Sequence, residues 1–379
     1  MYIYQKSNRY FASVADDIKD LAEVELTNLG ATSISQGYKG IYFTANKKCL
    51  YNINLYTKLL NRILAPLFEF DVFNEDMLYK KAYKIEWEKL FKNDETFAIF
   101  ASAQNSNINH SKFASLKLKD AIVDRFRDIT NKRPNVNPKD PNIWFNLHIE
   151  NNKATISLDT SGGSLHRRGY RKNAVEAPMA ETLAASILML SEWDMKTPLY
   201  DPMCGSGTIL CEAYLMATNT PPGILRQNYG LERLPDFDKN LWVEVINTAK
   251  KNIKRIDQNL IYGSDVNADA VKIALDNLKI IDNTNNISIK QVNLFDINEI
   301  KDKIIVFNPP YGIRLKSGKD LSDFYKEIGD FLKQRCKGSN AFIYFGEREY
   351  LKKIGLKAKW KRPLQNGGLD GRLAKFEMY

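Results

Sequence analysis

Two periods of apolar residues alternate along the chain, one of two residues and one near 3.6, and they mark strands and helices in turn. RYFASVA (9–15) and GIYFTA (40–45) read as strands, and DIKDLAEVELTNLG (17–30) as a helix with Ile18, Leu21, Leu26 and Leu29 at helical spacing and Gly30 as its stop. KKCLYNINLYTKLLNR (47–62) predicts a second helix, which completes a small α+β unit. In the next unit RILAPLFEF (62–70) is extended, MLYKKAYKIEWEKLF (77–91) helical, TFAIFASAQ (96–104) a strand and SKFASLKLKDAIVDRFRDI (111–129) a long helix. IWFNLHIE and KATISLDT, separated by Asn151-Asn152, predict a hairpin.

Beyond residue 170 the order changes. ETLAASILML (181–190) predicts a helix, PLYD (198–201) a short strand, and Met203 to Thr208 a glycine turn opening another helix. NLIYGSD (259–265), NISIKQVNLFD (286–296), IIVFN (304–308) and AFIYFG (341–346) are further strands with helices between most of them. Strand, glycine loop, helix and a strand ending in Asp predict an α/β, doubly wound parallel sheet. The Gly/Ser-rich then basic stretch DTSGGSLHRRGYR (159–171) marks the boundary between the halves.

A length of 379 residues calls for two or three domains, and 44% hydrophobic with 11% aromatic residues excludes a disordered chain. Four scattered cysteines and three unpaired histidines argue against a disulfide frame and a zinc site, so no metal is expected. The first twenty residues lack the layout of a signal peptide, and LAASILML (183–190) is too short to cross a bilayer. A cytoplasmic protein with no membrane partner is expected. Lys and Arg total 55 against 45 acidic residues, a net charge of +10, which favours a polyanion such as nucleic acid but fits a solvated lysine surface equally well.

YDPMCGSGTIL (200–210) puts Asp201 at a strand end and Gly205 and Gly207 in the turn. It lacks the Lys of a phosphate-gripping P-loop, the third glycine of a dinucleotide fingerprint and the leading glycine of a serine-hydrolase elbow. A nucleoside without a pyrophosphate remains, as in S-adenosylmethionine. Its carboxylate suits a helix N-terminus, its amine suits Asp201 or a nearby carbonyl, its ribose diol suits Asp265, and its adenine amine suits Asp296 at the end of the following strand. Helix capping is the competing role for each Asp taken singly.

IIVFNPPYG (304–312) drives a buried strand into two prolines. An exocyclic aromatic amine is a poor nucleophile because its lone pair is delocalised into the ring. A site that alkylates it must hold both N–H bonds so that nitrogen can pyramidalise. The Asn308 side-chain oxygen and the Pro309 carbonyl are two such acceptors, Pro310 freezes the turn, and Tyr311 is placed to stack on a base. A plain turn after a strand is the alternative in isolation. Cys204 and Cys211, considered as nucleophiles for carbon methylation, read instead as small packing residues.

Asp201 to Thr208 followed by Asn308 to Gly312 resembles the class I methyltransferases that modify exocyclic amines. The front half is similar to a THUMP RNA-binding domain preceded by a ferredoxin-like segment. DTSGGSLHRRGYRKNAVEAPMAETLAASIL (159–188) and RPLQNGGLDGRLAKFEMY (362–379) resemble the bacterial THUMP-containing 23S rRNA guanine-N2 methyltransferases. The resemblance implies a ferredoxin-like segment (1–62), a THUMP domain (63–165) and a Rossmann-like methyltransferase domain ending in a β-hairpin (166–379). It implies cofactor contacts at Pro178, Glu181, Asp201, Gly205, Gly207, Asp265, Asp296 and Asn308, and catalysis at Asn308, Pro309, Pro310 and Tyr311. Met203 and Gly371 depart from the family, where an aromatic and a cysteine are common. The implied partner is 23S rRNA or a ribosome-assembly intermediate, met first by His166, Arg167, Arg168, Arg171 and Lys172 at the domain junction. Two other basic clusters lie along Lys112–Arg133 and Lys352–Arg362. An adenine-N6 methyltransferase of RNA or DNA, and a non-enzymatic RNA-binding or ribosome-assembly factor, are the alternatives.

Overall fold

The computed structural model describes residues 1–171, 179–282, 286–311 and 320–379. The front half is built on one eight-stranded sheet in the order β2-β3-β1-β4-β8-β7-β5-β6. Its strands are β1 (Arg9–Ser13), β2 (Thr32–Gly37), β3 (Gly40–Thr44), β4 (Arg62–Asp71), β5 (Thr96–Gln104), β6 (Asn135–Val136), β7 (Ile143–Glu150) and β8 (Lys153–Asp159). The helices are α1 (Ile3–Ser7), α2 (Lys19–Asn28), α3 (Lys47–Tyr56), α4 (Glu75–Tyr83) and α5 (Ser111–Thr130). β4 pairs with β1 on one side and β8 on the other, so a single ladder joins the first sixty residues to those that follow. The hairpin at Asn151-Asn152 forms as its sequence predicts, both residues taking positive φ (50° and 61°).

Two local differences from the periodicity have physical causes. The second helix stops at Tyr56 instead of continuing to residue 62. Buried Glu25 draws the chain off the helix by accepting the Thr57 hydroxyl (2.6 Å) and the Lys58 N–H (2.8 Å). The edge strand β2, TSISQG, has only Ile34 as an apolar marker and is held by its pairing with β3, which the alternation could not reveal.

The back half holds a seven-stranded sheet in the order β11-β10-β9-β12-β13-β15-β14. These strands are β9 (Leu199–Asp201), β10 (Ile261–Asp265), β11 (Ser288–Gln291), β12 (Ile304–Phe307), β13 (Asn340–Phe345), β14 (Trp360–Pro363) and β15 (Arg372–Glu377). β9 to β13 run parallel, and the terminal hairpin adds β15 antiparallel to β13. Helices α6 (Glu181–Leu190), α7 (Thr208–Ala217), α8 (Lys239–Lys251), α9 (Ala268–Ile281) and α10 (Leu321–Arg335) complete the half. Side chains of β12 alternate between two apolar layers: Ile304 and Val306 join the one under α6 and α7, Ile305 and Phe307 the one under α10. The strand order reverses between β9 and β12, the position where α/β sheets open a crevice at the carboxyl ends of their strands.

The long connection after α7 carries α8 back onto the front half. Tyr51 of α3 meets Trp242 of α8 edge-on at 5.7 Å, and the Tyr51 hydroxyl accepts the Asp238 N–H at 2.9 Å. The Gly223 N–H adds a bond to the Leu55 carbonyl at 3.0 Å. One strand boundary needs correction. β11 ends at Gln291, and Asp296 sits five residues later in a 3-10 turn, because the Asn293 side chain caps that turn by accepting the Phe295 N–H at 3.1 Å. At position 371 a Cβ would lie 2.1 Å from the Tyr344 hydroxyl oxygen, which explains the departure to glycine in the terminal hairpin.

Candidate functional site

β9 ends in Asp201, its neighbour β10 ends in Asp265, and β12 on the other side runs straight into Asn308. The ladders set Gly263 opposite Asp201 and Ile305 opposite Tyr200, which brings these three polar residues to one edge of the sheet. The glycine loop is laced to β10. The Cys204 N–H donates to the Ser264 carbonyl (2.9 Å), the Gly205 N–H to Asp265 Oδ2 (2.9 Å) and the Gly207 N–H to the Cys204 carbonyl (2.8 Å). Gly205 and Gly207 have φ of +53° and +77°, a region that side-chain-bearing residues avoid. Their surroundings differ. A Cβ on Gly205 would meet no atom of the described residues within 4 Å, whereas one on Gly207 would sit 3.0 Å from the Ala274 Cβ of α9. The first glycine borders space that no described residue fills; the second lets two helices approach.

Asp201 is 1% exposed and accepts the Met203 N–H at 3.1 Å. Burial, with the charge of Asp265 adding to it, holds its carboxyl well above the usual carboxylate range against the pull of that N–H. Asp265 spends Oδ1 on the Asn267 N–H (2.9 Å) and Oδ2 on the glycine loop. Asp296 is exposed, outside the ladder. Val266, not foreseen from the sequence, stands 63% exposed directly after Asp265; its exposure is set by the fold, so a lone valine after the strand carried no signal.

At the other side of the crevice, Asn308 Oδ1 is buried and has no hydrogen-bond partner among the described residues. An orphaned buried acceptor is rare and costs about 1–3 kcal/mol, so it stands out as a position waiting for a donor. Pro309 is buried, and the Pro310 carbonyl accepts the Tyr325 hydroxyl at 3.2 Å. Tyr311 is 6% exposed, its ring lying so close over Gly346 that a Cβ there would be 2.5 Å away.

The junction residues separate into different roles. Arg171 Nη2 donates to the Met179 carbonyl (2.7 Å) and to Thr208 Oγ1 (2.8 Å), and Nη1 lies 3.6 Å from Glu181 Oε1. It therefore ties the connector to the first residue of α7, next to the glycine loop. Glu181 keeps a buried Oε2 with no hydrogen-bond partner among the described residues, and burial raises its pKa against the opposing charge of Arg171. Arg168, expected on the RNA surface, is internal. At 2% exposure it donates to the Leu165 (2.7 Å) and Lys58 (2.5 Å) carbonyls and pairs with Glu212 at 3.6 Å, because a buried guanidinium requires such partners. His166 is held at about 4 by burial and by the arginines around it, so it carries no charge at neutral pH. Arg167 is exposed. Lys172 and Pro178 lie outside the described residues. Glu212, buried beside Arg168 and the Tyr170 hydroxyl (2.9 Å), was not foreseen, since a carboxylate inside the apolar run of α7 reads as a surface residue.

A mostly parallel sheet closed by an antiparallel hairpin, with a glycine loop after its first strand and Asn-Pro-Pro-Tyr after its fourth, defines a Rossmann-like class I methyltransferase domain. Residues 168–375 match the family described as RMKL-like, methyltransferase domain, and residues 73–159 match the THUMP domain. The chain belongs to this RMKL-like methyltransferase family, with a THUMP domain in front of the catalytic fold. It is 39% identical over 98% of its length to a Synechocystis sp. protein provisionally assigned as an RNA methyltransferase, covering 97% of that relative. To the ribosomal RNA large subunit methyltransferase K/L of Syntrophotalea carbinolica it is 35% identical over 98% of its length, but covers 53% of that protein. The chain thus spans about half the length of the relatives of that name. Among solved structures, SMU.472, a provisionally assigned methyltransferase complexed with SAH, superposes with TM-score 0.83 at 28% identity, covering 98% of each chain. A Listeria monocytogenes protein described as a predicted N6-adenine-specific DNA methylase also gives 0.83 at 25% identity, over 99% of this chain and 97% of that one.

Proposed function

We propose that this chain is an S-adenosylmethionine-dependent RNA methyltransferase acting on the exocyclic N2 amine of a guanosine in 23S rRNA, free or within an assembly intermediate. The observation that carries the proposal is the buried Asn308 oxygen, without a partner among the described residues, at the strand-order reversal and across the crevice from the glycine loop. The residues present fit the cofactor: space beside Gly205 that no described atom fills, the buried Asp201 carboxyl facing the loop, and a Glu181 Oε2 without a partner among the described residues near the N-terminus of α6. We assign Asp201, Gly205, Gly207, Asp265 and Glu181 to holding it, with Asp296 a more distant candidate and Val266 added as an apolar wall. When bound, S-adenosylmethionine supplies an electrophilic methyl group on a sulfonium.

The chain's own residues prepare the amine. Asn308 Oδ1 accepts one N–H and the Pro309 carbonyl the other, which turns the nitrogen lone pair out of conjugation. No prior deprotonation is required, since nitrogen becomes acidic only as it is alkylated. Holding donor and acceptor in register is positional catalysis, an effect worth up to roughly 7–11 kcal/mol. The target base must leave its stack, at a few kcal/mol, and the THUMP domain and exposed cations such as Arg167 offer compensating phosphate contacts. We divide the chain at 62/63 and 165/166, with the first two parts serving RNA placement. The large-subunit rRNA names of the K/L relatives support the choice of rRNA.

A second assignment, adenine-N6 methylation, is favoured by the Listeria structure's description and by the fact that Asn-Pro-Pro-Tyr suits either amine. The test is to incubate the full chain with labelled S-adenosylmethionine and, in parallel, free rRNA and large-subunit assembly intermediates from a deletion strain, then identify the labelled nucleoside by mass spectrometry. N2-methylguanosine is the expected product, N6-methyladenosine would transfer the assignment to adenine, and no label would refute both. Asn308→Ala should lose at least a hundredfold in turnover while keeping cofactor affinity.

A further inference from the structure

Tyr325 lies in α10, fifteen residues beyond Pro310, and is fully buried. Its ring is stacked on Tyr350 at 4.7 Å with 5° between planes and on Phe345 at 5.6 Å with 27°, and Phe324 meets it edge-on at 6.2 Å. Apolar packing alone would be served as well by phenylalanine. The hydroxyl instead reaches the Pro310 carbonyl at 3.2 Å.

We propose that Tyr325 is a positioning residue for the methyl-transfer reaction, its hydroxyl fixing the Pro310 peptide so that the Pro309 carbonyl keeps its aim at the substrate amine. This rests on the function proposed above. The segment from Phe307 to Tyr311 is pinned at one end by the β12 ladder, where Phe307 faces Ile343, and at the other by Tyr311 seated over Gly346. Between those ends the proline rings lock φ at 309 and 310 near −65°, leaving ψ as the soft torsion. The Tyr325 hydroxyl restrains that torsion at Pro310. With it removed, the Pro309 and Pro310 carbonyls can rotate together, and the acceptor pair for the amine loses its fixed geometry.

Tyr325→Phe preserves the stacked ring and removes only this bond. At 3.2 Å the bond is a modest one, so turnover should fall about tenfold and not vanish. The experiment measures the single-turnover methylation rate on rRNA, KM for RNA, Kd for S-adenosylhomocysteine by calorimetry and the melting temperature, for wild type, Tyr325→Phe and Asn308→Ala together. A slower chemical step with KM and Kd unchanged supports the positioning role, even beside the few degrees of melting temperature that losing a buried hydrogen bond costs, because a purely structural hydroxyl would lower the melting temperature without slowing the step. A Tyr325→Phe rate within twofold of wild type, or a loss confined to KM or Kd, overturns it. If Asn308→Ala also methylates normally, the amine-site proposal itself fails; if only Tyr325→Phe does, the positioning role alone is lost.

Discussion

The two glycines of the loop allow binding and folding to be separated by one methyl group each. Both have positive φ, so alanine at either carries about 1–2 kcal/mol of backbone strain. At Gly207 the new methyl also presses on the Ala274 Cβ at 3.0 Å and its Cα at 3.3 Å, an overpacked contact that adds roughly 1–3 kcal/mol. At Gly205 it projects where no described atom lies within 4 Å, so no such second cost arises in the free protein. With about 2–4 °C lost per kcal/mol in a domain of ~200 residues, Gly205→Ala should lower the melting temperature by a few degrees and Gly207→Ala by about twice as much. Cofactor affinity should show the opposite order. A methyl group on the wall of an occupied site costs about 1–3 kcal/mol in binding, so Gly205→Ala should raise the Kd for S-adenosylmethionine roughly 5- to 150-fold, while Gly207→Ala changes it by about threefold or less. Differential scanning calorimetry and isothermal titration on the same preparations read both quantities. Wild-type affinity in Gly205→Ala, with the expected small loss of stability, would show that the open space beside this glycine holds no ligand, and the cofactor assignment would go with it.

Three further outcomes follow from the same geometry. Burial holds the Asp201 carboxyl above its unfolded value, so the folded chain keeps the proton longer than the unfolded one; the stabilisation is complete below about pH 4 and is lost as pH rises toward the raised value. Asp201→Asn should therefore flatten the decline in melting temperature above pH 4 while weakening cofactor binding at least tenfold, and a decline as steep as wild type would refute it. Arg168→Met leaves Glu212 buried without its cation and should destabilise the chain by about 3–5 kcal/mol, with partial recovery in the Arg168→Met/Glu212→Gln double variant; a neutral single variant in chemical denaturation would contradict the internal role. Arg167→Ala should leave stability unchanged and weaken RNA binding, reducing the salt slope by about one unit in filter binding, whereas an unaltered slope would remove Arg167 from the RNA path.

The junction arginines show how far local sequence reaches. HRRGYR announces a basic cluster, and a run of charges reads as a surface. In the fold Arg168 is swallowed by the packing of the two halves, and Arg171 turns inward to α7, because the connector crosses the seam where the carbonyls of Thr57 and Lys58 point at it. Only the arrangement of distant segments determines which of several adjacent cations meets solvent. Asp296 makes the same point for strands: its apolar-then-Asp pattern matched that of Asp265, but a capped turn intervenes.

What the sequence by itself determined is the order of elements and the two chemical corners, because glycine torsions, proline rings and buried apolar runs act on their immediate neighbours. It therefore announced Asp201, the glycine loop and Asn308 on strand ends of one sheet. The tertiary structure alone decided that β9 lies between β10 and β12, that Asn308 keeps an acceptor with no donor among the described residues, and that Tyr325 reaches back to the Pro310 carbonyl. Those facts depend on strand order and on burial, which are set by how remote apolar surfaces exclude water together, and no local window of residues encodes that.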